Sequence, residues 1–264
     1  MILIYKALSI AGSDNSGGAG IQADLKVFSA FGVYGMSAVT SVTVQNTLGV
    51  KGSHPVPSDI LFEQIKAVVE DIGVDAFKTG MLQTEENVLA VYQAVKDLRM
   101  KNFVADTVIR SKNGKYLLDK SAIETFIKRI VPLADIITPN IDEAEVLTGI
   151  EIRSVDDMIR AAKELYRMGS SAVVVKGGHL PQGDRIVDIF YNGDLYTLEY
   201  PYVRTKNTHG TGCTFSAAIT ACLAKGYDHL KAVRVARSYI QGAIENSLSI
   251  GKGTGSLNHF WTVI

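Results

Sequence analysis

The sequence predicts an α/β protein with a mainly parallel central sheet covered on both faces. Three observations carry that expectation. Short apolar runs alternate with longer segments of helical period over most of the 264 residues. Within the longer segments, apolar residues recur at three- and four-residue intervals, as one buried helix face requires. The run Val173-Val174-Val175 is apolar on both faces, which suits the centre of a covered sheet.

The elements follow in order. Residues 7–11 read as a buried strand, and Ile21, Leu25, Phe28 and Phe31 as a helical stripe. Residues 38–45 are rich in β-branched side chains and read as a strand. Ser58 is placed to cap a helix carrying Leu61, Ile65, Val68 and Val69. Residues 76–79 form a short strand, 85–100 a helix and 103–108 a strand. Ser121 and Glu124 make a capping-box pattern before Phe126 and Ile130. Residues 136–138 read as a strand stopped by Pro139, with a short helix over 143–147. Ser154 caps a helix over 155–168, and 172–176 is the valine strand. Residues 186–191 and 195–200 pair around Asn192-Gly193. A helix begins within Thr211–Thr214, its stripe running Phe215, Ala218, Ile219, Cys222 and Leu223. The last helix covers 230–249.

Bulk composition narrows the function. Twenty-seven Lys and Arg balance twenty-seven Asp and Glu. Without a basic excess, nucleic acid is not expected as a partner. Cys213 and Cys222 cannot build a disulfide framework, which points to a reducing cytoplasm. No stretch is long enough to span a bilayer, and the first residues are too short for a signal-peptide apolar region. No repeat or linker stands out, so residues 1–264 read as a single domain.

The most informative segment is Asn207-Thr208-His209-Gly210-Thr211-Gly212-Cys213-Thr214. A glycine turn feeding a helix start aims free N–H groups and the positive dipole end at one point. That point suits a phosphate or a developing oxyanion. Cys213 falls in the first turn, where a thiolate is favoured. The structural alternative is a tight turn before a buried helix. The loop Gly12-Ser13-Asp14-Asn15-Ser16-Gly17-Gly18-Ala19-Gly20 also joins a strand to a helix, but it matches neither a Walker A pattern nor a dinucleotide fingerprint.

The loop over residues 12–20, continued through Ile21-Gln22-Ala23-Asp24, resembles the opening of hydroxymethylpyrimidine kinases. These are thiamine-biosynthetic members of the ribokinase superfamily. The likeness continues with Tyr34-Gly35-Met36-Ser37, Val44-Gln45-Asn46-Thr47 and Lys78-Thr79-Gly80-Met81-Leu82. It resumes with Thr138-Pro139-Asn140-Ile141-Asp142-Glu143-Ala144-Glu145 and Val175-Lys176-Gly177-Gly178-His179, and the segment ending at Thr214 closes the series. The matches appear in family order over nearly the whole chain.

The resemblance implies a ribokinase-like three-layer α/β/α sandwich and a cytoplasmic, homodimeric kinase. It implies that ATP and Mg²⁺ serve to phosphorylate 4-amino-5-hydroxymethyl-2-methylpyrimidine, and commonly its monophosphate. Gly210, Gly212 and Cys213 are then the catalytic turn. Cys213 takes the hydroxyl proton, or merely packs while the amides do the work. Glu143, in an Asn-x-x-Glu motif, organises Mg²⁺ or else only favours the helix dipole. Asp106 is a second metal candidate or a strand-end turn residue. Lys176 holds a nucleotide phosphate or snorkels to solvent, and Thr211 is a further nucleotide contact.

Gln45 offers the donor and acceptor that complement an aminopyrimidine edge. The resemblance adds Asp24, Gly12 and Met81 to the pyrimidine pocket. One departure stands out: after Asp106 the family's proline is missing, and the flap reads Thr107-Val108-Ile109-Arg110-Ser111-Lys112-Asn113-Gly114. Arg110 and Lys112 are candidate phosphate contacts there.

Three rival readings are a pyridoxal kinase of the same fold, a non-catalytic sensor of thiamine precursors, and a cysteine hydrolase using Cys213 and His209. Pyridoxine lacks the adjacent amino group that Gln45 complements. A sensor has no need of Cys213, Lys176 and Glu143 together. A hydrolase needs an orienting group beside its histidine, and none is evident in the sequence.

Overall fold

The computed structural model describes residues 4–110, 114, 116–178, 180 and 183–262. Among the described residues nine strands form one sheet, six of which, side by side, are parallel. In chain order these are β1 (Lys6–Ser13), β2 (Tyr34–Asn46), β3 (Gly49–Pro55), β4 (Ala76–Thr79), β5 (Phe103–Ala105), β6 (Ile136–Ile137), β7 (Val173–Val175), β8 (Arg185–Tyr191) and β9 (Leu195–Pro201). Their spatial order is β3-β2-β1-β4-β5-β6-β7-β8-β9. The edge strand β3 runs antiparallel to β2, and the β8–β9 hairpin continues β7 in antiparallel fashion.

The hairpin turns where the sequence expects, with Gly193 at φ 103°, a conformation glycine adopts without penalty. The core of the sheet is continuous from strand to strand. Phe77 and Phe103 are register partners on β4 and β5, and their rings stack 4.5 Å apart.

Eight helices cover the sheet: α1 (Gly20–Ala30), α2 (Ser58–Asp71), α3 (Glu85–Asp97), α4 (Lys120–Arg129), α5 (Ile141–Thr148), α6 (Val155–Arg167), α7 (Thr211–Ala224) and α8 (His229–Glu245). Two apolar cores lie on opposite faces. One gathers buried residues of α2 to α6 against Leu8, Ile10 and Phe77. The other gathers α1, α7 and α8 against Ala7, Ala76 and Val174. Neighbouring strand residues such as Ala7 and Leu8 point to opposite faces, so central strands such as β1, β4 and β5 feed both cores. The result is three layers, α/β/α. No helix among the described residues is long and apolar enough to cross a membrane.

Two capping expectations change, and one strand is added. β3 reads GVKGSHP and is largely exposed, so it carries no apolar pattern by which to see it. Ser58 does not cap α2; it is the first helical residue, after Pro57. Ser121 lies inside α4, whose cap position is Asp119, so the Ser121–Glu124 box does not form. The reciprocal capping box sits instead at α5, where Asn140 and Glu143 satisfy each other's backbone N–H groups. Ser154 does cap α6, accepting from the N–H of Asp157.

Candidate active site

The carboxyl ends of the parallel strands converge on two adjoining cavities of about 590 and 230 Å³. Ligands bind at this edge in open α/β sheets. Gly12, Gln45, Met81, Asp106, Gly210 and Cys213 line the smaller cavity. Apolar side chains such as Val203, Phe215, Ile240 and Ile244 line the larger, together with Arg237. Arg110, Asn140, Glu143, Lys176, Thr211 and Gly212 line both. These six form the passage from one cavity to the other.

Gly210 precedes α7 at φ 82°, in the left-handed region. A Cβ on it would stand 1.8 Å from the carbonyl oxygen of Gly18. Glycine is therefore required where the turn touches the first loop. No side chain caps α7, and its first intrahelical bond is from the N–H of Thr214 to the oxygen of Gly210. The amides of Gly212 and Cys213 precede that bond and lie at the positive end of the helix. The Thr211 hydroxyl donates to the oxygen of Thr208 at 2.7 Å.

Cys213 sits in the first turn of α7, but the structure does not favour a thiolate. Burial, with Asp106 and Asp24 nearby, pushes the thiol up to about 12 despite Lys78 and the N–H of Gly20. Loss of hydration outweighs the helix dipole here. Cys222 is buried and also free of any disulfide.

Lys176 follows β7, its Nζ 3.7 Å from Oδ1 of Asp106. Asp106 is buried and accepts from the hydroxyls of Ser216 at 3.1 Å and Thr138 at 3.4 Å. Glu143 Oε2 accepts from the Thr107 hydroxyl and the N–H of Asn140, each at 2.9 Å. Burial pushes Glu143 up to about 7; Lys176 opposes this and Asp106 reinforces it.

A divalent cation at this point would meet Glu143 and Asp106 and relieve the repulsion between them. Among the described residues, no cluster of three His, Cys, Asp or Glu side chains could hold a metal unaided. Water and phosphate oxygens would complete the shell, which suits Mg²⁺.

Asp24 is not in the cavity wall. It faces the sheet from α1 and is fully buried, with both carboxylate oxygens 2.9 Å from Lys78 Nζ and Oδ2 accepting from Ser9 at 2.6 Å. The resemblance matches it to a pocket position; in the structure its place in α1, packed on β1, makes it the buried ion-pair partner of Lys78. Met81 and Gly12 are in the wall, in contact: a Cβ on Gly12 would lie 2.6 Å from Met81 Cε. Lys112 and His179 lie outside the described residues. Arg110 bridges to Tyr116, with its guanidinium 4.4 Å from the ring centroid.

Several site residues escaped the sequence reading. Asp14 Oδ2 lies 2.8 Å from Nε2 of His209 and is an orienting carboxylate that the sequence does not reveal. Asn15 Oδ1 accepts from the N–H of Gln45 at 2.8 Å. Asp188 Oδ1 accepts from the N–H of Gly177 at 2.8 Å, and its Oδ2 pairs with Arg237 Nε at 3.0 Å. These contacts join residues far apart in the chain, and spacing alone does not reveal them.

Comparison with known proteins decides the family. The family model described as phosphomethylpyrimidine kinase matches residues 14–258. The chain belongs to the phosphomethylpyrimidine kinase family. A hydroxymethylpyrimidine/phosphomethylpyrimidine kinase of Bacillus subtilis is 47% identical over 97% of this chain and 95% of its own. The solved phosphomethylpyrimidine kinase of Clostridium difficile is 47% identical with a TM-score of 0.80, over 91% of this chain and 99% of that one. An ADP complex of Bacillus subtilis pyridoxal kinase aligns at a TM-score of 0.91 with 39% identity, over 98% and 99% of the two chains.

The fold is thus ribokinase-like, shared by both kinds of kinase, and fold alone does not choose between them. As a phosphomethylpyrimidine kinase the chain is a phosphotransferase acting on the hydroxymethylpyrimidine of thiamine biosynthesis. The sensor and hydrolase readings fall away.

Proposed function

We propose that the chain moves the γ-phosphoryl group of ATP onto the hydroxymethyl oxygen of 4-amino-5-hydroxymethyl-2-methylpyrimidine, with Mg²⁺, and then phosphorylates the monophosphate. One observation carries the site assignment: Gln45 and the Gly210–Cys213 turn line one cavity, which opens past Lys176 and Glu143 into a larger one. The smaller cavity suits a flat ring and the larger a nucleotide.

Gln45 holds the ring edge, with Met81 and Gly12 as the apolar wall. Lys176 and Thr211 take the nucleotide phosphates. The amides of Gly212 and Cys213 receive the negative charge of the transferring group, which is where most catalysis in phosphoryl transfer lies. Mg²⁺ held by Glu143 and Asp106 would supply charge neutralisation on the phosphates.

In the transfer, the bond from the γ-phosphorus to ADP breaks and a bond to the substrate oxygen forms. The hydroxyl proton goes to Cys213 only in the small fraction that is thiolate, which becomes the thiol. With burial pushing the thiol up to about 12, its thiolate is a strong acceptor but a rare one at neutral pH, so the amides carry the larger share of the acceleration.

One continuous sheet supports reading residues 1–264 as one domain. Exposed Val42, Val44 and Leu48 at the β2–β3 edge support a homodimer. Two free cysteines support a cytoplasmic location.

Parallel assays with the pyrimidine, its monophosphate and pyridoxal, each with ATP and Mg²⁺, test the proposal. ADP release should be fastest with the pyrimidine. Preference for pyridoxal would overturn it.

A further inference from the structure

Asp14, His209 and Gln45 meet at one wall of the smaller cavity. Asp14 is buried in the first loop and held by donors on every side. It accepts from the N–H groups of Ser16 at 2.9 Å, Gly18 at 3.2 Å and Ala19 at 2.8 Å, and from the Ser16 hydroxyl at 2.7 Å. Burial works against its charge, but the hydrogen bonds from His209 and Ser16 hold the carboxyl below its ordinary range. Nε2 of His209 lies 2.8 Å from Oδ2 of Asp14 and 3.1 Å from Nε2 of the Gln45 carboxamide. Glycine at 18 leaves the ring its place, since a Cβ there would stand 2.4 Å from His209 Cδ2.

A carboxylate at that distance requires a hydrogen on Nε2, whether the ring is neutral or charged. That single hydrogen serves Asp14 first and leaves Nε2 without a lone pair, so the nitrogen end of Gln45 finds no acceptor there and only the carboxamide oxygen, sharing the hydrogen, is favourable. The two ends of a carboxamide exchange by a half-turn, so its neighbour decides which end points where.

We propose that the Asp14–His209 pair is a positioning element that turns the Gln45 carboxamide oxygen toward the Gly210 turn, and so selects a ring bearing an amino group beside its hydroxymethyl arm. This rests on the reading of Gln45 as the residue that holds the ring. In the aminopyrimidine, the amino group is on the ring carbon next to the one carrying the hydroxymethyl group, and the ring nitrogen lies one place further. With the hydroxymethyl oxygen at the turn, the amino group falls on the His209 side and donates to the oriented oxygen. The ring nitrogen accepts from the amide N–H. Pyridoxal carries a carbonyl at the corresponding position. Two acceptors then face each other, and neither is satisfied. A site built to pair with a substrate donor rejects the analogue that lacks it.

The test is kcat/KM for the pyrimidine and for pyridoxal, in wild type, His209→Leu, His209→Gln and Asp14→Asn, and in Gln45→Ala with and without His209→Leu. Where pyridoxal turns over too slowly, its inhibition constant replaces kcat/KM. His209→Leu should lower the pyrimidine preference about tenfold or more, chiefly through the pyrimidine KM. His209→Gln, which restores a terminal N–H, should hold the preference within about threefold of wild type. Asp14→Asn should lower it in the same direction as His209→Leu. In Gln45→Ala, His209→Leu should change the preference no further.

Equal losses for both rings, no loss, or an undiminished His209→Leu effect in Gln45→Ala would overturn the positioning role while leaving Gln45 as the ring-binding residue. An unchanged preference in Gln45→Ala alone would instead remove the reading on which the inference rests.

Discussion

Lys78 meets Asp24 through both carboxylate oxygens at 2.9 Å, and neither side chain is exposed to solvent. Burial acts against the lysine charge, but attraction from Asp24 and, less strongly, Asp106 holds its ammonium above its ordinary range. On Asp24 burial prevails and raises the carboxyl. The two close contacts and the Ser9 hydroxyl favour the ionised pair. A charged base thus lies under the site without entering the cavity.

Removing one partner leaves the other charge buried and alone. Lys78→Met should therefore destabilise the fold by about 3–5 kcal/mol in urea unfolding. The double variant Lys78→Met/Asp24→Leu should recover most of that loss. Equal destabilisation by the single and double variants would show that packing, and not the charge pair, is what Lys78 supplies.

Cys213 distinguishes two accounts of the chemistry. With the thiol pushed up to about 12, its alkylation by iodoacetamide should climb steadily up to pH 10 with no plateau. Cys213→Ala should reduce kcat by less than about 100-fold, because the backbone amides remain. A plateau below pH 8, or a loss near 10⁴-fold, would mean a resident thiolate base.

Gly210→Ala tests the turn. The backbone there is left-handed, and the new methyl group would meet the oxygen of Gly18. The turn must shift, and misplacing catalytic donors by about 1 Å costs on the order of 100-fold. We expect kcat/KM to fall at least that far, with a lowered unfolding midpoint. Retained activity would show that the turn does not place the transferring group.

His259 couples the turn to pH. Its Nε2 lies 2.9 Å from the Thr214 hydroxyl, in the first turn of α7. Burial, with Lys26 and His209 adding positive charge, lowers its pKa to about 4. The native ring is neutral, whereas the unfolded chain takes a proton near pH 6.5. This contribution is complete above pH 6.5 and is lost as pH falls toward 4. Between pH 7 and 4.5 wild type should lose about 2–3 kcal/mol more stability than His259→Gln. Parallel losses in urea titrations would mean that the ring is already charged in the native state.

Much of this molecule was legible from pattern alone. The parallel strands carry continuous apolar runs, and the ends of those runs bring Gly12, Gln45, Met81, Asp106, Glu143 and Lys176 to one edge of the sheet. What stayed hidden depends on contacts between distant segments. β3 has no apolar face, so only its pairing with β2 reveals it. Asp24 matched a pocket motif, yet the packing of α1 on β1 turns it to Ser9 and Lys78. Cys213 had the helix position of an activated thiol, but its desolvation could be read only from the fold. Asp14 and His209 come from opposite ends of the chain, and only the closed structure joins them.

The most direct test is a crystal structure with the aminopyrimidine and a non-hydrolysable ATP analogue bound together. The account predicts the ring edge on Gln45, the hydroxymethyl oxygen at the amides of Gly212 and Cys213, and the terminal phosphate arriving past Lys176. A ring bound away from Gln45, or a nucleotide filling the smaller cavity, would contradict it.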